Sequence, residues 1–204
     1  MDERALRDAL VAGGARLGAR GLIAAAEGNL SVRLAGDQIL ITPAGRGKDA
    51  LDPGDLVVVP LDPTAAKGGT GPSPRPSSDV AIHRAIYSAR PDVGAVVHAH
   101  VPAAMALTLA GVTPDPAALP ETAMLLPRLP LVPFGTPGSA ELAARIAAAF
   151  GEGEPPPGAV LLELHGAIAI GAGIAEALDR IELVDVLCRV WRDAALLRAA
   201  QPPR

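Results

Sequence analysis

The sequence contains one cysteine, Cys188, in 204 residues. No intrachain disulfide can form, so the fold must rest on its core, and a reducing compartment such as the cytoplasm is the expected location. Aromatic residues make up 2% of the chain and the net charge is −4. That removes both the stacking platform and the positive surface that nucleic-acid binders use. Long apolar runs are missing too. None reaches the roughly 20 residues needed to cross a bilayer without a charge or a Pro/Gly break, so no membrane partner is expected. The N-terminus carries Asp2 and Glu3 where a secretion signal would be basic, and it reads as an amphipathic helix. Lysine is scarce: Lys48 and Lys67 are the two examples. Both stand in polar or glycine-rich segments, which argues against a Schiff-base enzyme, whose lysine needs a buried setting.

What is present reads as one domain over residues 1–204. "LSVRL" and "QILIT" flank a Gly-Asp turn as a hairpin does, and "LVVVPL" is a further strand. Residues 62–76, dense in Gly, Pro and Thr, are expected to form a surface loop, and 201–204 a short tail. Ser77-Ser78-Asp79 opens a helix that Pro91 closes, and "VGAVVHAH" follows as a strand. "SAELAARIAAAF" is a capped helix, "GAVLLELHGAIAIG" holds two strands around His165 and Gly166, and a long helix follows. Strands alternating with helices predict a layered α/β domain with one central sheet.

The chemistry concentrates in "VVHAHVP". Residues i and i+2 of a strand share a face, so His98 and His100 project together at the strand end. Two neutral imidazoles side by side suit a divalent metal, and His165, at the end of a second apolar stretch, is the candidate third ligand. A lone buried histidine is ordinarily structural, but three of the chain's four histidines ending two apolar strands fit a ligand set better. His83, four residues after Asp79 within the helix, reads equally as a ligand or as a plain surface or supporting group. Asp79 has two readings: a favourable charge at a helix N-terminus, or the carboxylate that binds the metal or moves a proton beside it. The helix start at Ser77 and Ser78 and the turns "EGNLS" and "TPAG" can present N–H groups to a phosphate. Cys188 and Trp191 read as packing residues of the last helix.

These segments, in the order "GNLSVR", "ITPAG", "PSSDVAIHRAIYSARPDVGAVVHAH", "VPFGTPGSAELA" and "LLELHGAIAIG", resemble the class II aldolase/adducin family, which includes bacterial fuculose-1-phosphate aldolases. The resemblance spans about residues 4–195. It implies a three-layer α/β/α fold with one central sheet, a homotetramer with active sites between subunits, and a zinc ion on His98, His100 and His165. Mn2+ or Co2+ are other candidate ions. It also implies that Asn29, Gly45, Ser77 and Ser78 hold a substrate phosphate, with Ala44 contributing backbone. Asp79 stands where the aldolases carry a glutamate that is metal ligand and proton carrier, and family 4-epimerases are similar in carrying aspartate.

The activity implied is a zinc-dependent lyase that cleaves a sugar phosphate, a ketose 1-phosphate like fuculose 1-phosphate. It yields dihydroxyacetone phosphate and an aldehyde through a metal-stabilised enediolate. The alternatives on the same fold are a sugar-phosphate 4-epimerase, a dehydratase, a decarboxylase, or a non-catalytic interaction module of the adducin kind. The tyrosine proton donor of the fuculose enzyme has no counterpart between residues 112 and 130, where Glu121 is the candidate substitute.

Overall fold

The computed structural model describes residues 2–65 and 74–201. Most of the loop expected at 62–76, Lys67 included, and residues 202–204 of the tail lie outside the described residues.

Helix α1 (Glu3–Ala19) begins where the Asp2 carboxylate accepts the Ala5 amide at 2.8 Å. Its buried positions Leu10, Gly13, Gly14 and Leu17 recur at the helical period and form one stripe. Strands β1 (Asn29–Leu34) and β2 (Gln38–Ile41) pair antiparallel as the expected hairpin, and β3 (Val57–Pro60) adds to β2. Then come α2 (Val80–Ala89), β4 (Ala95–Ala99), α3 (Pro102–Leu109) and a short α4 (Pro120–Leu125) that sequence reading did not anticipate. The chain ends with β5 (Leu131–Val132), α5 (Ala140–Ala149), β6 (Ala159–Leu162), β7 (Gly166–Gly171) and α6 (Ile174–Ala199).

The seven strands form one sheet in the order β3-β2-β1-β4-β7-β6-β5. Every pair is antiparallel except β5 with β6. Alternation along each strand sorts side chains into two cores. Leu30, Val32, Ala95, Val97 and Ala99 meet Leu10 and Leu17 of α1, Ala104 of α3 and the apolar stripe of α6. Ile39, Ile41, Val96 and Ile168 meet Ile82 and Ile86 of α2 and Leu142 and Ile146 of α5 on the other side. The architecture is therefore three layers, α/β/α. Cys188 is fully buried in the α6 core, where burial pushes its thiol up to about 12, so it is packing material as expected. No helix among the described residues is long and apolar enough to cross a membrane.

Candidate active site

His98 lies on the α2-facing side of β4, two residues from Val96, and is 1% exposed. His100 follows just past the strand on the same side. His165 stands between two strands as expected: β6 stops at Leu162, and the ring is carried by the tight turn into β7. That turn is built by Leu164 at φ +60° and Gly166 at φ +105°, and the Leu164 amide is pinned to the Thr108 hydroxyl at 3.1 Å. Only a glycine fits at 166. A Cβ there would stand 2.4 Å from the Ala99 carbonyl oxygen and 2.5 Å from the His100 Cα. Gly166→Ala is therefore expected to push the turn away from β4 and to cost about 2–4 kcal/mol of stability. Urea denaturation checks this, and an unchanged midpoint would contradict it.

The three rings converge. Their centroids form a triangle with sides of 5.4, 4.9 and 5.1 Å. One ligand nitrogen of each lies within 4.8 Å of the others. The outer nitrogens are oriented by acceptors: His98 Nδ1 donates to the Ala167 carbonyl at 3.0 Å, and His100 Nδ1 stands 3.3 Å from a Glu27 carboxylate oxygen. His98 Nε2 is left buried with no hydrogen-bond partner. Such an orphaned atom costs about 1–3 kcal/mol, a cost that a bound cation reverses. Burial, and then the neighbouring His165, lower the His98 pKa to about 3, so the ring stays neutral and its lone pair available. The residues present fit a divalent ion held by three imidazoles.

Beside this trio lies a cavity of about 190 Å³ walled by Asn29, Ala44, Gly45, Ser77, Ser78 and Asp79, with His100 and His165 at its edge. Every expected phosphate residue is thus brought together. Their roles differ in one respect. The Ala44 amide donates to the Arg75 carbonyl at 2.9 Å, so Ala44 shapes the wall but has no N–H to offer an anion. The same ladder continues in the Ser77 amide, which donates to the Thr42 carbonyl at 3.1 Å; the Ser77 Oγ accepts the Asp79 amide at 3.3 Å and keeps its O–H to donate to a ligand. Asp79 caps nothing with its side chain. Its Oδ2 instead accepts from Asn29 Nδ2 at 2.8 Å, and the carboxylate stands outside the histidine group.

Two residues were misread or missed. Lys48, expected in an exposed loop, is 1% exposed and lines the cavity. Its Nζ donates to the Ala26 carbonyl at 2.8 Å and the Arg46 carbonyl at 2.6 Å. Burial lowers its pKa against the opposing charge of Asp79, and the two carbonyl contacts tie the Nζ down away from the role of a nucleophile, which still disfavours Schiff-base chemistry. Close packing makes this possible: a Cβ on Gly14 of α1 would sit 2.0 Å from the Lys48 carbonyl oxygen. Glu27, overlooked in "EGNLS", also lines the cavity. Its one sequence signal was an acid directly before the Gly-Asn turn. Glu121 is exposed on α4 and does not line the cavity.

A family model for the class II aldolase and adducin N-terminal domain matches residues 8–192. The chain belongs to this family. Its relatives differ in the bond they break. A methylthioribulose-1-phosphate dehydratase of Acidiphilium cryptum is 37% identical over 87% of this chain and 85% of its own. A 3-oxo-tetronate 4-phosphate decarboxylase of Cupriavidus necator is 33% identical over 93% and 84%. A 5-methylthioribulose-1-phosphate/5-deoxyribulose-1-phosphate aldolase of Rhodospirillum rubrum is 37% identical over 97% and 84%. Among solved structures, the L-fuculose-1-phosphate aldolase of Thermus thermophilus superposes with a TM-score of 0.82 at 31% identity, covering 98% of each chain. This family member is therefore an enzyme of the class II aldolase superfamily, related to enzymes of phosphorylated sugars, rather than a fuculose-type aldolase by default.

Proposed function

We propose that this enzyme is a metal-dependent dehydratase of a 5-substituted ribulose 1-phosphate. The observation that carries the reading is the fate of the sequence's one tyrosine. Tyr87 is 1% exposed and bonded to Ser31 Oγ at 2.9 Å in the interior, so neither this chain nor a second copy of it can bring a phenol to the site. Fuculose-type cleavage, the activity first expected, lacks its proton donor. A carboxylate beside the trio remains, and the dehydratase relative supports using it on a carbon acid.

The substrate phosphate sits against Ser77, Ser78, Asn29 and Gly45, with Lys48 the cationic side chain of that wall among the described residues. Its carbonyl oxygen points to the three histidines. A divalent ion held there, zinc by its preference for imidazole, supplies positive charge against the charge that develops on that oxygen. Asp79, with Oδ2 tied to Asn29, uses Oδ1 to take the proton from C3. The C3–H electron pair forms the new double bond, and the C4 hydroxyl leaves as water with the proton that Asp79 took from C3. Aldol cleavage of the same substrate is the second reading, favoured by the aldolase relative: the C4 hydroxyl loses its proton and the C3–C4 bond breaks instead.

The metal-loaded enzyme supplied with 5-methylthioribulose 1-phosphate, fuculose 1-phosphate and 3-oxo-tetronate 4-phosphate, with products followed by 31P NMR and mass spectrometry, tests this. Loss of one water from the first substrate with the carbon chain intact is the expected result. Dihydroxyacetone phosphate or carbon dioxide as the product would overturn it. A cytoplasmic homotetramer with sites near subunit boundaries belongs to the same proposal. The association of copies is supported by the exposed apolar side chains Leu109, Met124 and Leu197 at 76%, 73% and 69% exposure.

A further inference from the structure

Asp79, His83 and Tyr87 are spaced by four residues, so they stack along one face of α2. Asn29 and Ser31 are spaced by two and share one face of β1. Four residues of helix rise about 6 Å and two residues of strand about 6.8 Å. The two ladders therefore match rung for rung where α2 packs on β1.

The match produces one continuous hydrogen-bonded chain. Asn29 Nδ2 donates to Asp79 Oδ2 at 2.8 Å. Asn29 Oδ1 faces His83 Nε2 at 2.5 Å. His83 Nδ1 faces Ser31 Oγ at 2.6 Å, and Ser31 Oγ faces Tyr87 Oη at 2.9 Å. Arg33 closes the far end, its guanidinium 4.8 Å above the Tyr87 ring and donating to the Tyr87 carbonyl at 2.7 Å. Asn29, Ser31, His83 and Tyr87 are 3%, 0%, 0% and 1% exposed, so water does not compete for these partners.

Chemistry fixes the direction of every link. A carboxylate can only accept, so the amide nitrogen of Asn29 must face Asp79. The amide oxygen then faces His83 and can only accept, so His83 carries its hydrogen on Nε2. Burial lowers the His83 pKa to about 4, which leaves one ring hydrogen and makes Nδ1 an acceptor for the Ser31 hydroxyl. Ser31 in turn accepts from Tyr87. Without the Nε2 hydrogen only the Asp79 carboxylate orients the Asn29 amide, whose oxygen is then buried with no donor facing it.

We propose that His83 is a positioning residue for the reaction: through Asn29 it holds the Asp79 carboxylate in place, with the Ser31–Tyr87 pair setting its tautomer. The inference rests on Asp79 as the group that moves the proton. Three variants test it. His83→Gln keeps an N–H donor at the Nε2 position, His83→Asn moves it to the Nδ1 position, and His83→Leu has none.

In metal-loaded protein, His83→Leu and His83→Asn are expected to lower kcat about 10- to 100-fold, with KM and bound metal little changed. His83→Gln should restore most of the turnover. In an Asn29→Ala background, His83→Leu should cost nothing further, because the link it acts through is gone. A His83→Gln variant as slow as His83→Asn, or losses that multiply in the double variant, would overturn the proposal. NMR reads the link without activity: the Asn29 side-chain amide protons should exchange slowly in wild type and His83→Gln and rapidly in His83→Asn. Slow exchange in all three refutes the link, whereas an active Asp79→Asn refutes the role given to Asp79. The two failures are thus separable.

Discussion

Replacing His98 with alanine is expected to abolish stoichiometric metal binding and to lower turnover by roughly 10³-fold. His98 is the most buried of the three ligands, and it alone has a fully buried ring nitrogen with no partner inside the protein. Its other nitrogen is fixed on the Ala167 carbonyl, so the ring is anchored to β7 while it points at its neighbours. Removing it leaves two imidazoles, both partly exposed, a donor set that holds a divalent ion weakly. The charge that such an ion places opposite a developing oxyanion is worth several kcal/mol, and about 4 kcal/mol is roughly 10³ in rate. Metal analysis of purified protein, with far-UV circular dichroism as the control for folding, reads the outcome. Full metal content in the variant would remove the basis of the proposed chemistry.

Asp79→Asn separates the ion from the proton. The substitution preserves shape and keeps an oxygen for Asn29 Nδ2 to donate to, but it removes the basic carboxylate. Metal content should stay near one per chain, because the carboxylate stands outside the group formed by the three histidines. kcat should fall about 10²- to 10⁴-fold, the usual worth of a positioned acid or base, with KM moving far less. A variant of full activity would show that another group carries the proton. Loss of metal together with activity would make Asp79 a ligand first.

Much of this site is readable from one-dimensional pattern. His98 and His100 share a face because strand side chains alternate, and the structure keeps them together. The two strands around His165 and Gly166 are legible too, because an apolar run broken by a glycine marks a turn. Less was legible where long-range contact overrides local composition. "GRGKD" is ordinary exposed-loop sequence, yet Lys48 is buried because carbonyls of Ala26 and Arg46 converge on its ammonium. The role of His83 depends on how β1 is set against α2, and helix periodicity alone leaves it as easily a surface residue. Glu27 meets His100 because β1 and β4 are neighbours, a pairing that the acid before the Gly-Asn turn does not announce. The Ala44 amide was lost as an anion donor to Arg75, thirty-one positions away in a different segment.

Asn29 stands directly opposite His98 in the β1–β4 ladder, as Leu30 does opposite Val97 and Ser31 opposite Val96. A slip of one position would send Asn29 and Ser31 into the layer beneath α6 and turn Leu30 and Val32 toward the polar ladder of α2. Misplacing each such apolar side chain costs about 1.5–3 kcal/mol. The greasy underside of the sheet thus acts as a proofreader: the penalty that rejects a misaligned strand also guarantees that a correctly aligned one arrives with its reactive groups in place.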